Sequence, residues 1–193
     1  MLNKDFLLKN IKRNLSGIDS NLAIQYLMWL DRKTMYFKDS VLKNGYGFQP
    51  DDLKRGDIVW VNFGINVGSE LSDVFTKGHY ALVWQVDLGN VVAIPLTSRN
   101  AYNSPLCLNL GVVRGLNDNK CINSYLKLDA IRSISKRRIE RIVNVSNGKI
   151  TLSKEKIQLV KKHIYTYFIE DNYNSYNSNL EILNYIAYHI ENS

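Results

Sequence analysis

The sequence predicts an α+β protein whose mainly β core is a compact, partly open β-barrel, with added helices at the N-terminal and C-terminal ends. Three observations lead there. Short runs rich in β-branched and aromatic residues recur between residues 58 and 145, with turn-forming residues between them. Helical spacing of apolar residues is confined to the segments before and after those runs. Hydrophobic residues make up 45% of a 193-residue chain, enough for one real core and too many for disorder. Short strands around turns, closed by a helix, bury their apolar faces best in such a barrel.

Taken in order, Phe6, Leu7, Ile11 and Leu15 sit near helical spacing until Gly17 breaks the pattern. Ser20 is placed to cap a second helix, whose Leu22, Ala23, Tyr26, Leu27, Trp29 and Leu30 make a broad apolar face expected to pack on the barrel. Asn44-Gly45, Gly47 and Pro50 mark a linker, so residues 1–50 read as a helical extension. Ile58 to Phe63 and Tyr80 to Val86 are strand-like. They flank a long polar loop carrying Gly64, Gly68 and Gly78, as two strands bracketing a functional loop should. Val91 to Leu96 follows almost at once, and Asp87-Leu88-Gly89-Asn90 is turn chemistry for a tight hairpin. Pro95 cannot donate to a ladder, which predicts an edge position or a bulge for this third strand.

A polar loop from Arg99 to Pro105 leads to two shorter strand-like runs, Leu106 to Val113 and Cys121 to Leu128. Ile131 to Val145 is β-branched and basic, and Asn147-Gly148 predicts a tight turn into Lys149-Ile150. Ser153 is placed to cap a helix with Ile157, Val160, Ile164 and Phe168 on one face. The barrel segment therefore spans residues 51–169. Residues 170–193 read as a hinge, Asp171 to Asn179, and a last amphipathic helix in which Ser178 and Glu181 have capping-box spacing.

Five pieces of this stretch are distinctive in their order. Arg55-Gly56-Asp57-Ile58-Val59 opens the first strand, and Val67-Gly68-Ser69-Glu70 lies in the loop. Ala81-Leu82-Val83-Trp84-Gln85 forms the second strand, Pro95-Leu96-Thr97-Ser98 ends the third, and Leu128 to Ile139 carries an Ile131-Arg132 and a Ser135-Lys136 pair. Over residues 54–168 this order resembles the MazF/PemK family of toxin endoribonucleases. The resemblance implies an SH3-like barrel, usually a homodimer, that cleaves single-stranded RNA selectively without a metal or cofactor. It implies 2′,3′-cyclic-phosphate and 5′-OH ends, and an antitoxin whose peptide covers the RNA cleft. It also implies a site: the family usually carries Arg just before the residue leading into the Ala-Leu-Val run, and a Ser or Thr hydroxyl at the end of strand three. Here those positions are His79 and Thr97, the candidate catalytic pair, and Tyr80 replaces a common Pro.

Metal-free RNA cleavage needs a group to take the 2′-OH proton, a donor for the leaving 5′ oxygen, and positive or hydrogen-bonding groups around the phosphorane. No Asp/Glu/His cluster in the sequence has metal-ligand spacing. Histidine serves as acid or base where arginine mainly holds charge. Arg99 lies two residues after Thr97, so on an extended chain the two side chains share a face and the guanidinium can clamp phosphate. Ser69 and Glu70 are expected to shape or line the RNA channel. Lys136, Arg137 and Arg138 read as backbone-phosphate or fold-edge residues, and Tyr80 and Tyr102 as candidates for base stacking.

The net charge of +7 is uneven: residues 127–162 hold eleven Lys/Arg against three Asp/Glu, while residues 170–193 hold four acids and neither Lys nor Arg. A basic segment on a folded domain suits a polyanion such as RNA, and the acidic tail is a candidate partial autoinhibitor of it. No run approaches the roughly 18 apolar residues of a membrane span, and the charged opening MLNKDFLLKNIKRN is unlike a signal core, which predicts a cytoplasmic protein without a membrane partner. Cys107 and Cys121 lack a CxxC spacing or a nearby His pair and read as reduced core thiols. Two other functions fit the same barrel: a non-catalytic RNA-binding or partner-binding module, and, less well, a gyrase poison.

Overall fold

Two helices precede the sheet, each started by an acidic or amide side chain that satisfies the first free amides. In α1 (Lys4–Asn14) the cap is Asn3, and in α2 (Ser20–Val41) it is Asp19, whose carboxylate accepts from the amides of Asn21 and Leu22 at 3.0 and 3.1 Å. The expected cap, Ser20, is instead the first helical residue, because the carboxylate one position earlier already takes those amides. The fold is that of a computed structural model describing residues 3–47, 49–68, 70–71, 78–101, 103–116 and 121–170. The predicted hinge and last helix, Ser69 and Tyr102 lie outside these residues.

The face that α2 turns inward also differs from expectation. Of the six apolar residues assigned to the barrel contact only Trp29 is buried, while Leu22, Tyr26 and Leu27 are exposed. Half-buried Gln25, Arg32, Tyr36 and Asp39 recur at helical spacing around Trp29, so the inward stripe is aromatic and polar. Its counterpart is loop backbone and the Asn62 amide rather than an apolar sheet face, which is why donors and rings fit there. Ala23, Leu27 and Leu30 face α1 instead, and with Leu8, Ile11 and Leu15 they line an open cavity of about 950 Å³.

Among the described residues eight antiparallel strands follow: β1 (Asp57–Val61), β2 (His79–Val86), β3 (Asn90–Thr97), β4 (Cys107–Val112), β5 (Asn123–Lys127), β6 (Arg132–Ser135), β7 (Ile139–Glu140) and β8 (Ile150–Thr151). They are ordered β4-β5-β3-β2-β1-β7, with β6 paired to β3 and β8 to β1, and the path does not close on itself. The β2–β3 hairpin forms as predicted, with the Asp87 amide donating to the Asn90 carbonyl at 2.9 Å. The third strand is neither an edge nor bulged at Pro95. Along its outer side β3 pairs first with β6, from Asn90 to Ala93, then with β5, at Leu96 and Thr97. Pro95 falls in the gap between the two partners, where no outer amide is called for. The irregularity in the hairpin lies between Val83 and Gln85.

Alternation along the strands builds two cores on opposite faces. One holds Ile58, Leu82, Ile94, Leu96 and Leu126 and is covered by α3 (Lys154–Phe168) through Ile157, Val160 and Ile164. Each of its fully buried aliphatic side chains contributes about 1.5–3 kcal/mol. Ser153 caps α3 as predicted, but Phe168 at its end is exposed. The other core holds Val59, Val61, Ala81, Val83 and Ala93, and Phe63 and Leu71 of the β1–β2 loop pack on it.

The Arg-Gly-Asp opening of β1 is structural. Asp57 is fully buried and accepts from Lys149 Nζ at 3.0 Å, Thr151 Oγ1 at 2.7 Å and the Lys54 amide at 2.9 Å, tying β1 to β8. The two cysteines are free, but neither is fully buried: Cys107 is half-buried and Cys121 exposed in a turn. No helix among the described residues is long and apolar enough to cross a membrane.

Candidate active site

The site grows from one end of the central strands. Gly78 makes the entry to β2 possible: a Cβ there would lie 2.5 Å from the Val61 carbonyl oxygen and 2.7 Å from Trp60 Nε1. Passing that close, the chain delivers His79 as the first residue of β2, paired with Val61. On its other side β2 pairs with β3 as far as Ala81 and Pro95, and His79 and Thr97, the last residue of β3, stand two residues beyond that pair on the same alternation. Thr97 in turn pairs with Tyr125 of β5. Residues two apart along a strand project to one face. His79 and Thr97, both half-buried, therefore share the rim of the second core, the face on which the β1–β2 loop packs.

Thr97 Oγ1 accepts the Arg99 amide at 3.1 Å, so the chain bends at Ser98-Arg99 instead of running on extended. The alternation argument for a shared face thus fails, and a turn takes its place, with the exposed Arg99 side chain close to Thr97 in sequence. The hydroxyl proton of Thr97 remains a donor. Glu70 is exposed in the loop, its amide donating to the Val67 carbonyl at 3.2 Å.

Lys136 and Arg137 are not near this pair. They follow Ser135, which pairs with Asn90 at the start of β3, so the length of that strand, about 20 Å at 3.3 Å per residue, separates them from Thr97. Lys136 Nζ donates to the Leu88 carbonyl at 3.0 Å, holding the hairpin turn. Arg137 donates to the carbonyls of Gly45 and Asn44 at 3.0 and 2.6 Å and lies 4.9 Å from the Tyr46 ring, tethering the linker after α2. Tyr80 is not placed for base stacking beside His79: it points to the opposite face and meets Trp60 edge-on at 4.9 Å.

Two sets of residues had no place at the site assigned from sequence. Arg132 pairs with Ala93 and so shares the face of Ala93, Pro95 and Thr97, its guanidinium 5.5 Å from the Phe63 ring. The Ile131-Arg132 pair was its only sequence signal. The stem of the β1–β2 loop is gripped from outside the barrel: Trp29 lies against Gly64, and the Asn62 side chain donates to Glu140 Oε1 at 2.5 Å and Tyr36 Oη at 3.3 Å. Burial pushes the Tyr36 phenol above its ordinary pKa, against the nearby Arg32 charge. Residues 29, 62 and 140 are remote in sequence: apolar spacing marks Trp29 for burial, but no local pattern joins it to the other two. Among the described residues no three His, Cys, Asp or Glu side chains converge as metal ligands.

Residues 54–168 match the family described as PemK-like, MazF-like toxin of type II toxin-antitoxin system. No curated protein matches the chain. The match covers more than half of the sequence and begins and ends with the sheet and α3, leaving α1 and α2 ahead of it. An open antiparallel sheet flanked by helices, entered through the Arg-Gly-Asp strand and matched along that length, means that the chain belongs to the PemK/MazF family of type II toxin-antitoxin toxins.

Proposed function

We propose that this toxin is a sequence-selective, metal-independent endoribonuclease acting on single-stranded RNA, held inactive by an antitoxin and working as a homodimer. In this reading the RNA 2′ oxygen attacks the adjacent phosphorus, the bond from phosphorus to the 5′ oxygen breaks, and the 5′ oxygen takes up a proton. The products are a 2′,3′-cyclic phosphate and a 5′-OH. His79 carries one of the two proton transfers, as base toward the 2′-OH or as acid toward the 5′ oxygen. Thr97, whose oxygen is occupied by the Arg99 amide, donates its hydroxyl proton to a phosphate oxygen. Arg99, exposed beside it, and Arg132 on the same face as Thr97 supply positive charge for the phosphorane. Ser69 and Glu70 belong to the channel wall, while Lys136 and Arg137, engaged with backbone carbonyls at the far end of the hairpin, serve the fold edge.

The observation that supports this reading is that His79 opens β2 and Thr97 ends β3, both on the alternation of the Ala81–Pro95 pair. The test is incubation of wild-type and His79→Ala protein with a long RNA in excess chelator, followed by mapping of product ends. Cuts with 5′-OH ends in the wild type, reduced about 100-fold or more in the variant, are expected. Products with 5′-phosphate ends would sink the mechanism. RNA bound without cutting by either protein would favour the binding module, and equal cutting by both would remove His79 from the site.

A further inference from the structure

We propose that α2 braces the β1–β2 loop and that Trp29 is a positioning residue for the site which that loop walls; the catalytic part rests on the ribonuclease reading. The loop leaves β1 after Val61 and rejoins the sheet at His79, so its stem and the candidate catalytic residue share one strand junction. Each stem residue is held. The Trp29 ring lies so close to Gly64 that a Cβ there would be 2.0 Å from Cε2 and 2.1 Å from Cζ2. Gly64 also has φ +73°, a conformation that side chains resist. Arg138 places its guanidinium 5.1 Å from the same indole ring and donates to the carbonyls of Asn62, at 2.7 Å, and of Phe63. The Asn62 side chain donates to Tyr36 and Glu140 and accepts from Arg32 at 3.5 Å.

The three α2 residues in this grip, Trp29, Arg32 and Tyr36, lie on one helical face, and that face is the one turned inward. Generic docking of an amphipathic helix would have buried Leu22 and Leu27. Here the aromatic and polar stripe is matched to loop backbone. The grip also reaches past the stem. Asn66 Nδ2 donates to the carbonyls of Phe63 at 3.4 Å, Gly64 at 3.3 Å and Leu71 at 2.5 Å, so a shift at Gly64 moves the segment that carries Glu70 and seats Leu71 on the second core. That core is the face on whose rim His79 and Thr97 stand. A displacement of about 1 Å in such a wall costs on the order of 100-fold in rate.

The experiment compares full-length wild type, Trp29→Ala, Trp29→Phe and Tyr36→Phe by cut-site mapping on a long RNA, by kcat and KM on a short one, and by amide hydrogen exchange. Trp29→Ala is expected to lower kcat by about 10- to 100-fold, to redistribute the cut sites and to speed exchange at amides of residues 62–71 while β2 and β3 stay protected. Trp29→Phe should restore most of the activity and the original cut sites. A folded Trp29→Ala protein with wild-type loop exchange and cut sites would overturn the proposal. If Trp29→Ala loses protection in the sheet as well, Tyr36→Phe decides, because it removes only the hydroxyl that Asn62 reaches: unchanged loop exchange there would overturn the brace. If the wild type cuts no RNA the ribonuclease reading fails by itself, and loop exchange alone decides the brace.

Discussion

In the ribonuclease reading, His79 offers what an arginine in its place could not. Arginine keeps its proton, whereas imidazole has two nitrogens that exchange donor and acceptor roles near neutral pH. His79 and Thr97 were singled out by the order of the motifs around them, and the strands make them the first residue of β2 and the last of β3. Arg99 was legible only in part, because a threonine hydroxyl that bends the chain toward its own neighbour leaves no periodic trace. Asp57 shows the opposite case, a family-like acid with structural work. It is fully buried against Lys149, which is 12% exposed, so Lys149→Met should strand a carboxylate in the interior. The expected loss is about 3–5 kcal/mol. Thr151→Val, which removes one hydrogen bond to the same carboxylate, should cost about 1.5–3 kcal/mol. Urea unfolding of the two variants measures both, and a Lys149→Met loss below that of Thr151→Val would refute the pairing.

Strands and helices were read well where local chemistry decides them and less well where a neighbour does. The β2–β3 hairpin follows from its turn residues and α3 from Ser153, and both form. Pro95 misled because its missing amide predicts an unpaired site, and an inner strand can also supply one, in the gap between β6 and β5. The inward face of α2 misled because apolar spacing says which residues want burial, while the loop beneath it offers a glycine and the Asn62 side-chain amide. This arrangement makes α2 docking sensitive to alkali. Burial raises the Tyr36 pKa in the folded protein above its ordinary value near 10. The folded state then holds the phenol proton more tightly than the unfolded chain, so stability from this group is fully present below about pH 10 and is lost as pH rises through the raised folded value. Unfolding of wild type and Tyr36→Phe across pH 8 to 12 should show a steeper alkaline loss in the wild type. Parallel curves would show that the phenol is not linked to folding.

At the scale of the whole chain, composition overstated the surface available to RNA. Residues 127–162 hold eleven Lys/Arg, but most of these have intramolecular partners. Lys127 pairs with Asp129, Lys149 with Asp57, and Lys136, Arg137, Arg138, Arg141 and Lys156 donate to backbone carbonyls. Arg132 stacks on Phe63. Charge is visible in a sequence, whereas its engagement depends on residues brought together only by folding. Arg99 and Arg132 at the candidate site, with Lys154, Lys161 and Lys162 exposed along α3, remain the cations available to phosphate. Counterion release scales with the phosphates neutralised, roughly 0.7 per contact for single strands. Five contacts therefore give a log–log salt slope of about −3.5 for RNA affinity, whereas full use of the basic segment would give about −8. Fluorescence anisotropy of a labelled RNA from 50 to 300 mM salt, with cleavage blocked by His79→Ala, measures that slope. A value near −8 would mean that the carbonyl-bound lysines and arginines leave their partners for phosphate, and the fold edge built by Lys136 and Arg137 would then be part of the RNA surface after all.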